Sequence, residues 1–113
     1  MKLIVAIIQP SRLEEVKQAL EDANAGLMTV TPVLGRGRQK GITEVYRGAK
    51  EIGSLLKKIK IEIACSDDFV EPTIEAIIKG ARSGEIGDGK IFVLDLSDVV
   101  RIRTGEHGRE AIG

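Results

Sequence analysis

The 113-residue chain has a single cysteine, no tryptophan, and three aromatic residues in all, Tyr46, Phe69 and Phe92. With only Cys65, no internal bridge forms; a disulfide scaffold is excluded and a reducing compartment, the cytoplasm, is expected. The scarcity of aromatics implies an aliphatic core and removes the stacking platforms that hold single-stranded nucleic acids. An excess of one charge is missing too. The 17 Lys and Arg balance 17 Asp and Glu, which argues against the extended basic face of a nucleic-acid binder. No apolar run approaches membrane-spanning length and no signal-peptide pattern opens the chain, so direct membrane insertion is not expected. Catalytic and metal constellations are also wanting. His107 stands alone in the tail, Cys65 lies at the apolar phase of a strand, and no cluster of His, Cys or carboxylates has ligand spacing, so the chain reads as a non-enzyme.

The length suits one domain, 1–113, with a core of its own. Leu3 to Ile8 is an unbroken, β-branched apolar run stopped by Pro10, which reads as a strand apolar on both faces. Ser11 stands three before Glu14, a capping box, and Leu13, Val16, Leu20 and Ala23 follow at helical spacing. A second strand is expected over Leu27 to Leu34, with Pro32 pointing to an edge position or a bulge. Further on, Ile59, Ile61, Ile63 and Cys65 alternate with polar residues as a third strand. A second helix carries Val70, Ile74, Ile77, Ile78 and Ala81 on its stripe; its cap is Ser66, Asp67 or Asp68, and Pro72 limits where it begins. Ile91 to Leu96 is a fourth strand and Val99 to Arg103 a short fifth, while the tail, 104–113, has no signal.

Strand, helix, strand, long loop, strand, helix, strand is a doubled βαβ unit. Right-handed crossovers put both helices on one face of a four-stranded sheet, giving an α+β, ferredoxin-like fold with a short C-terminal strand added. The other face is bare. Because the first strand is apolar on both sides, that bare face predicts a homo-oligomer packed through it.

The loop between the halves, 35–57, is glycine-rich and without period. Residues 35 to 60 hold eight Lys or Arg against Glu44 and Glu51, a charge of +6 in a neutral chain. A loop of that length is functional or disordered, and this one is an anion-seeking surface. Gly35, Gly37 and Gly41 flank Arg36, Arg38, Gln39 and Lys40, combining permissive backbone with anion-binding side chains. A second segment, GEIGDGK over 84–90, nearly matches a phosphate loop. Ile91 replaces its Ser or Thr, however, and the segment leaves a helix for a strand, the reverse of the phosphate-loop context. What remains is either a glycine-rich turn or a place where backbone N–H groups, Asp88 and Lys90 meet an anion. Arg101 and Arg103 would share one face of a strand. Together the three segments favour a polyphosphate site.

Several segments carry a family resemblance: MTVTPV (28–33), GRGRQKG (35–41), TEVYRGA (43–49), KIKIEI (58–63), ARSGEIGDGKIFV (81–93) and VVRIRTGE (99–106). The chain resembles the PII nitrogen-regulatory signal-transduction proteins over nearly its whole length. The resemblance implies a homotrimer that binds ATP or ADP competitively in clefts between subunits and senses 2-oxoglutarate together with magnesium-ATP. It implies that 35–57 is a partner-binding loop and 82–90 a second nucleotide loop. By the same resemblance Gly35, Gly37, Arg38, Gly87, Asp88, Gly89 and Lys90 are nucleotide contacts, and Arg101 and Arg103 of a neighbouring subunit bind phosphate. Thr29, Glu62 and Ala64 hold the adenine. Gln39 joins magnesium, a cation that commonly takes few protein ligands, and Lys58 pairs with the distal carboxylate of 2-oxoglutarate.

The implied partner is an ammonium channel, met through Tyr46 and Arg47, or a soluble nitrogen-metabolism enzyme or regulator. With the channel as partner the protein becomes peripheral to the membrane. Glu51 and Ala49 replace the family's modified tyrosine and serine, so neither uridylylation nor that phosphorylation is expected. Gln9, Ser11 and Arg36 depart from common family residues, which bears on effector affinity more than on nucleotide binding. The competing readings are an adenylate-only sensor, a weak ATPase of the same fold without a 2-oxoglutarate response, and a ligand-free adaptor that uses the loop alone.

Overall fold

The computed structural model describes residues 1–37 and 55–113. Four strands, β1 (Lys2–Ile8), β2 (Thr29–Gly35), β3 (Leu56–Cys65) and β4 (Gly89–Asp95), form one sheet in the order β2-β3-β1-β4, and each neighbouring pair is antiparallel. Helices α1 (Leu13–Asp22) and α2 (Val70–Ala81) complete the doubled βαβ. This is the ferredoxin-like arrangement. Pro32 finds the edge place its missing N–H requires, because β2 has a partner on one side only.

Alternation along β1 buries Ile4, Ala6 and Ile8 beneath the helices with Ile61, Ile63 and Cys65 of β3. Val16, Ala19 and Leu20 of α1 and Ala76, Ile77 and Ala81 of α2 close this core. The two helices cross closely at Gly80. A Cβ there would lie 2.6 Å from Val16 Cα and 2.8 Å from the Glu15 carbonyl, so only hydrogen fits. Arg12 Nε fastens the same crossing by donating to the Gly80 carbonyl at 2.9 Å.

The register places Leu3, Val5 and Ile7 on the opposite face, beside Phe92 and Leu94 of β4. Phe92 and Leu94 remain 49% and 48% exposed, an apolar strip that no element of the described chain covers.

The helix starts differ from expectation. A 3-10 turn over Pro10–Arg12 precedes α1, whose cap is Arg12, and Ser11 makes no capping bond. Pro10 is the reason: its fixed φ begins the turn early and places Ser11 inside it. Ser66 likewise precedes a 3-10 turn, Asp67–Phe69, without a side-chain cap, and Pro72 sits in the first turn of α2. The end of α1 is a Schellman motif. Asn24 adopts φ +58°, its N–H donates to the Glu21 carbonyl, and the Ala25 N–H reaches the Leu20 carbonyl.

The short fifth strand reduces to one antiparallel bridge between Val100 and His107, because the chain reverses through a turn over 102–104. The tail, in contrast, is structured: it carries a one-turn helix, α3 (Arg109–Ile112). His107 Nδ1 lies 2.7 Å from Asp98 Oδ2, and this contact holds the Asp98 carboxyl below its ordinary range.

Candidate functional site

The loop that enters β4 is shaped by its own backbone. Gly89 has φ +109°, and a Cβ there would lie 1.7 Å from the Ile7 carbonyl oxygen, so β4 can join β1 at this point only through glycine. Gly84 and Gly87 also have positive φ. Asp88 organises the segment: its carboxylate accepts the Ser83 hydroxyl, the Ser83 N–H at 2.8 Å and the Gly84 N–H at 2.9 Å. The hydroxyl bond first, then the backbone bonds, holds the Asp88 carboxyl below its ordinary range. In this structure Asp88 therefore serves the loop itself. The segment leaves α2 and enters β4, so the phosphate-loop context is absent, as the sequence implies.

The root of the long loop meets this second loop. Lys58 Nζ lies 3.4 Å from the Gly87 carbonyl, at the limit of a hydrogen bond, and the Gly35 Cβ position is 3.5 Å from Lys58 Cγ. Burial lowers the Lys58 pKa, and a partly desolvated ammonium interacts more strongly with an anion than one in open water. Gly35, Lys58 and Gly87 thus converge on one corner. Extending from that corner, Thr29 is the register partner of Glu62, Thr31 and Ile7 both flank Lys60, and Ile7 also faces Lys90. By alternation Thr29, Lys58, Glu62, Ala64 and Lys90 all occupy the open face of the sheet. Gly37 stands in open space.

Arg101 and Arg103 do not join this corner within the chain. Arg101 Nη1 donates to Glu106 at 2.9 Å and Nη2 to the Glu110 carbonyl at 3.0 Å, while Arg103 is exposed. Arg38, Gln39, Tyr46 and Arg47 lie outside the described residues. Among the described residues no three His, Cys, Asp or Glu side chains form a metal-holding group, and no helix is long and apolar enough to cross a membrane.

Two features are not marked by the hydrophobic pattern of the sequence. Thr73 is fully buried in α2 where an apolar stripe was expected, and its hydroxyl makes no hydrogen bond of ordinary geometry. Glu106 is the anchor of Arg101, a role that the spacing Arg101, Thr104, Glu106 could have suggested. 

Comparison with known proteins matches residues 1–106 to the family described as Nitrogen regulatory protein P-II. The chain belongs to the P-II family. It is 58% identical over 112 residues to Nitrogen regulatory protein P-II 2 of Methanothermobacter thermautotrophicus, covering 99% of this chain and 97% of that protein. It is 56% identical to the Nitrogen regulatory protein P-II of Mesorhizobium japonicum, covering 99% and 100%. Among solved structures, Arabidopsis thaliana PII bound to citrate superposes with a TM-score of 0.79 at 41% identity, covering 97% of this chain and 87% of that one. P-II proteins are regulators of nitrogen-related partners, and the names of these relatives describe regulation rather than catalysis.

Proposed function

We propose that this P-II protein is a homotrimeric signal transducer that binds ATP or ADP competitively in intersubunit clefts and 2-oxoglutarate with magnesium-ATP. One observation carries the reading: Gly35, Lys58 and Gly87, from two loops distant in sequence, converge beside the open sheet face. The apolar strip of Leu3, Val5, Ile7, Phe92 and Leu94 supports packing of subunits through that face. In this reading Thr29, Glu62 and Ala64 hold the adenine, Gly35, Gly37, Arg38 and Gly87 to Lys90 line the phosphates, and Arg101 and Arg103 come from the neighbour.

Gln39 would hold magnesium, which would supply positive charge to offset the anionic ligands, and Lys58 would pair with the effector's distal carboxylate. That the Arabidopsis relative binds citrate, a polycarboxylate, supports a carboxylate-binding role for this fold. Both ligands meet at the loop root, so their occupancy re-weights the conformers of 35–57 and with them the exposure of Tyr46 and Arg47 to a partner. An ammonium channel is the first candidate, a soluble nitrogen-metabolism enzyme or regulator the second. Without a modifiable tyrosine at Glu51, ligands alone govern the loop.

Isothermal titration tests this. ATP with magnesium should bind, and 2-oxoglutarate should bind only after ATP. Absence of ATP binding would overturn the reading; ATP binding without any 2-oxoglutarate response would reduce it to an adenylate-only sensor.

A further inference from the structure

The two arginines of the RIR segment are unlike in structure. Arg103 is exposed, with no hydrogen bond or ion pair among the described residues. Arg101 is half-buried and surrounded by acceptors: its Nη1 donates to Glu106 Oε1 at 2.9 Å, and its Nη2 to the Glu110 carbonyl at 3.0 Å and, more weakly, to the Ala111 carbonyl at 3.5 Å. Both carbonyls belong to α3. Glu106 is itself held in place. Thr104 Oγ1 donates to the same Oε1 at 2.8 Å and accepts the Glu106 N–H at 3.2 Å. The backbone repeats the closure, with the Arg101 N–H on the Glu106 carbonyl at 2.9 Å and the Gly105 N–H on the Arg101 carbonyl at 2.7 Å. A planar guanidinium facing several oxygens, one of them charged, has the partners that a phosphate group would offer it.

We propose that Glu106 and the end of α3 form an internal stand-in for phosphate, which a nucleoside polyphosphate must displace to recruit Arg101. This rests on the reading of Arg101 as a phosphate contact supplied to a neighbouring subunit. Glu106 is then a positioning residue. It keeps Arg101 folded onto its own tail when no nucleotide is bound, lowers nucleotide affinity by competition, and couples α3 to nucleotide occupancy.

ADP titrations on the full chain test the proposal. Glu106→Gln should tighten ADP binding about threefold to fivefold, the range of a partly exposed ion pair. In an Arg101→Ala background the same substitution should change nothing. Unchanged or weaker binding in Glu106→Gln, or an equal shift with and without Arg101, would overturn the competition. If the wild-type chain binds no ADP, the nucleotide reading falls, and hydrogen exchange judges the tail contact separately. The Ala111 and Ile112 amides, which donate to the Gly108 carbonyl, should exchange faster in Arg101→Ala; unchanged exchange would overturn the contact as well.

Discussion

On one face of the sheet Ile4, Ala6, Ile61 and Ile63 are 3% exposed or less, whereas on the other Phe92 and Leu94 keep about half their surface. Alternation generates both rows, the first along β1 and β3 and the second along β4. What differs is the cover. Over the central strands β1 and β3 the first face is closed by α1 and α2, whereas Val30 and Leu34 of β2 and Val93 of β4 on that face stay 39%, 61% and 46% exposed. The second combines an apolar strip at the β1 and β4 side with Thr29, Lys58, Lys60 and Glu62 at the β2 and β3 side. One part suits another subunit and the other suits a charged ligand, and their adjacency explains how one surface could serve assembly and binding together.

The comparison breaks most severely where backbone meets backbone. Gly89→Ala forces a Cβ onto the Ile7 carbonyl at a positive φ, and should cost about 3 kcal/mol or more of stability in denaturant melts. Ile61→Ala, on the covered face, should cost about 2 to 5 kcal/mol through the cavity it leaves. On the open face Phe92→Asp should leave the helical signal of the subunit intact and act on assembly. Sedimentation equilibrium should report the 12.2 kDa chain in place of a species three times heavier; an unchanged trimer would remove the assembly role of this face.

At the corner between the loops, Lys58→Ala should abolish the 2-oxoglutarate response in titrations. ATP binding should weaken only about threefold, through loss of the weak bond to the Gly87 carbonyl. The smallest effect belongs to Asp88. Its pKa is depressed in the folded chain, so its contribution is complete above the unfolded value near 3.9 and is lost as pH falls through the folded value. Asp88→Asn should therefore speed exchange of the Ser83 and Gly84 amides at neutral pH and remove the acid-induced part of that change.

The architecture was legible because two periods dominate the sequence: alternation from Ile59 to Cys65, and the helical stripes from Leu13 and Val70 onward. Burial follows them closely, as at Val16, Leu20 and Ile77. Helix starts were less legible, since Pro10 and the Asp67–Phe69 segment make 3-10 turns whose short bonds compete with side-chain caps. The fifth strand expected over Val99 to Arg103 is a single bridge, because the alternation around Ile102 resembles a strand but pairs only once, through Val100. The site was legible as chemistry and not as geometry. Glycine and cation content marked the segments, but only the fold brings Lys58 to Gly87, reveals that Asp88 is engaged by Ser83, and ties Arg101 to Glu106.

The central claim is that one nucleotide site is assembled from two copies of the chain, with Lys90 from one and Arg101 from the next. The direct measurement is complementation: ATP titration of Lys90→Ala and Arg101→Ala proteins, each alone, then unfolded together and refolded as a mixture. Each alone should bind ATP much more weakly than the wild type, and the mixture should recover wild-type affinity at about a quarter of the sites, the fraction of interfaces in a cyclic trimer that pair both intact residues. A mixture that binds no better than either parent would contradict the shared site.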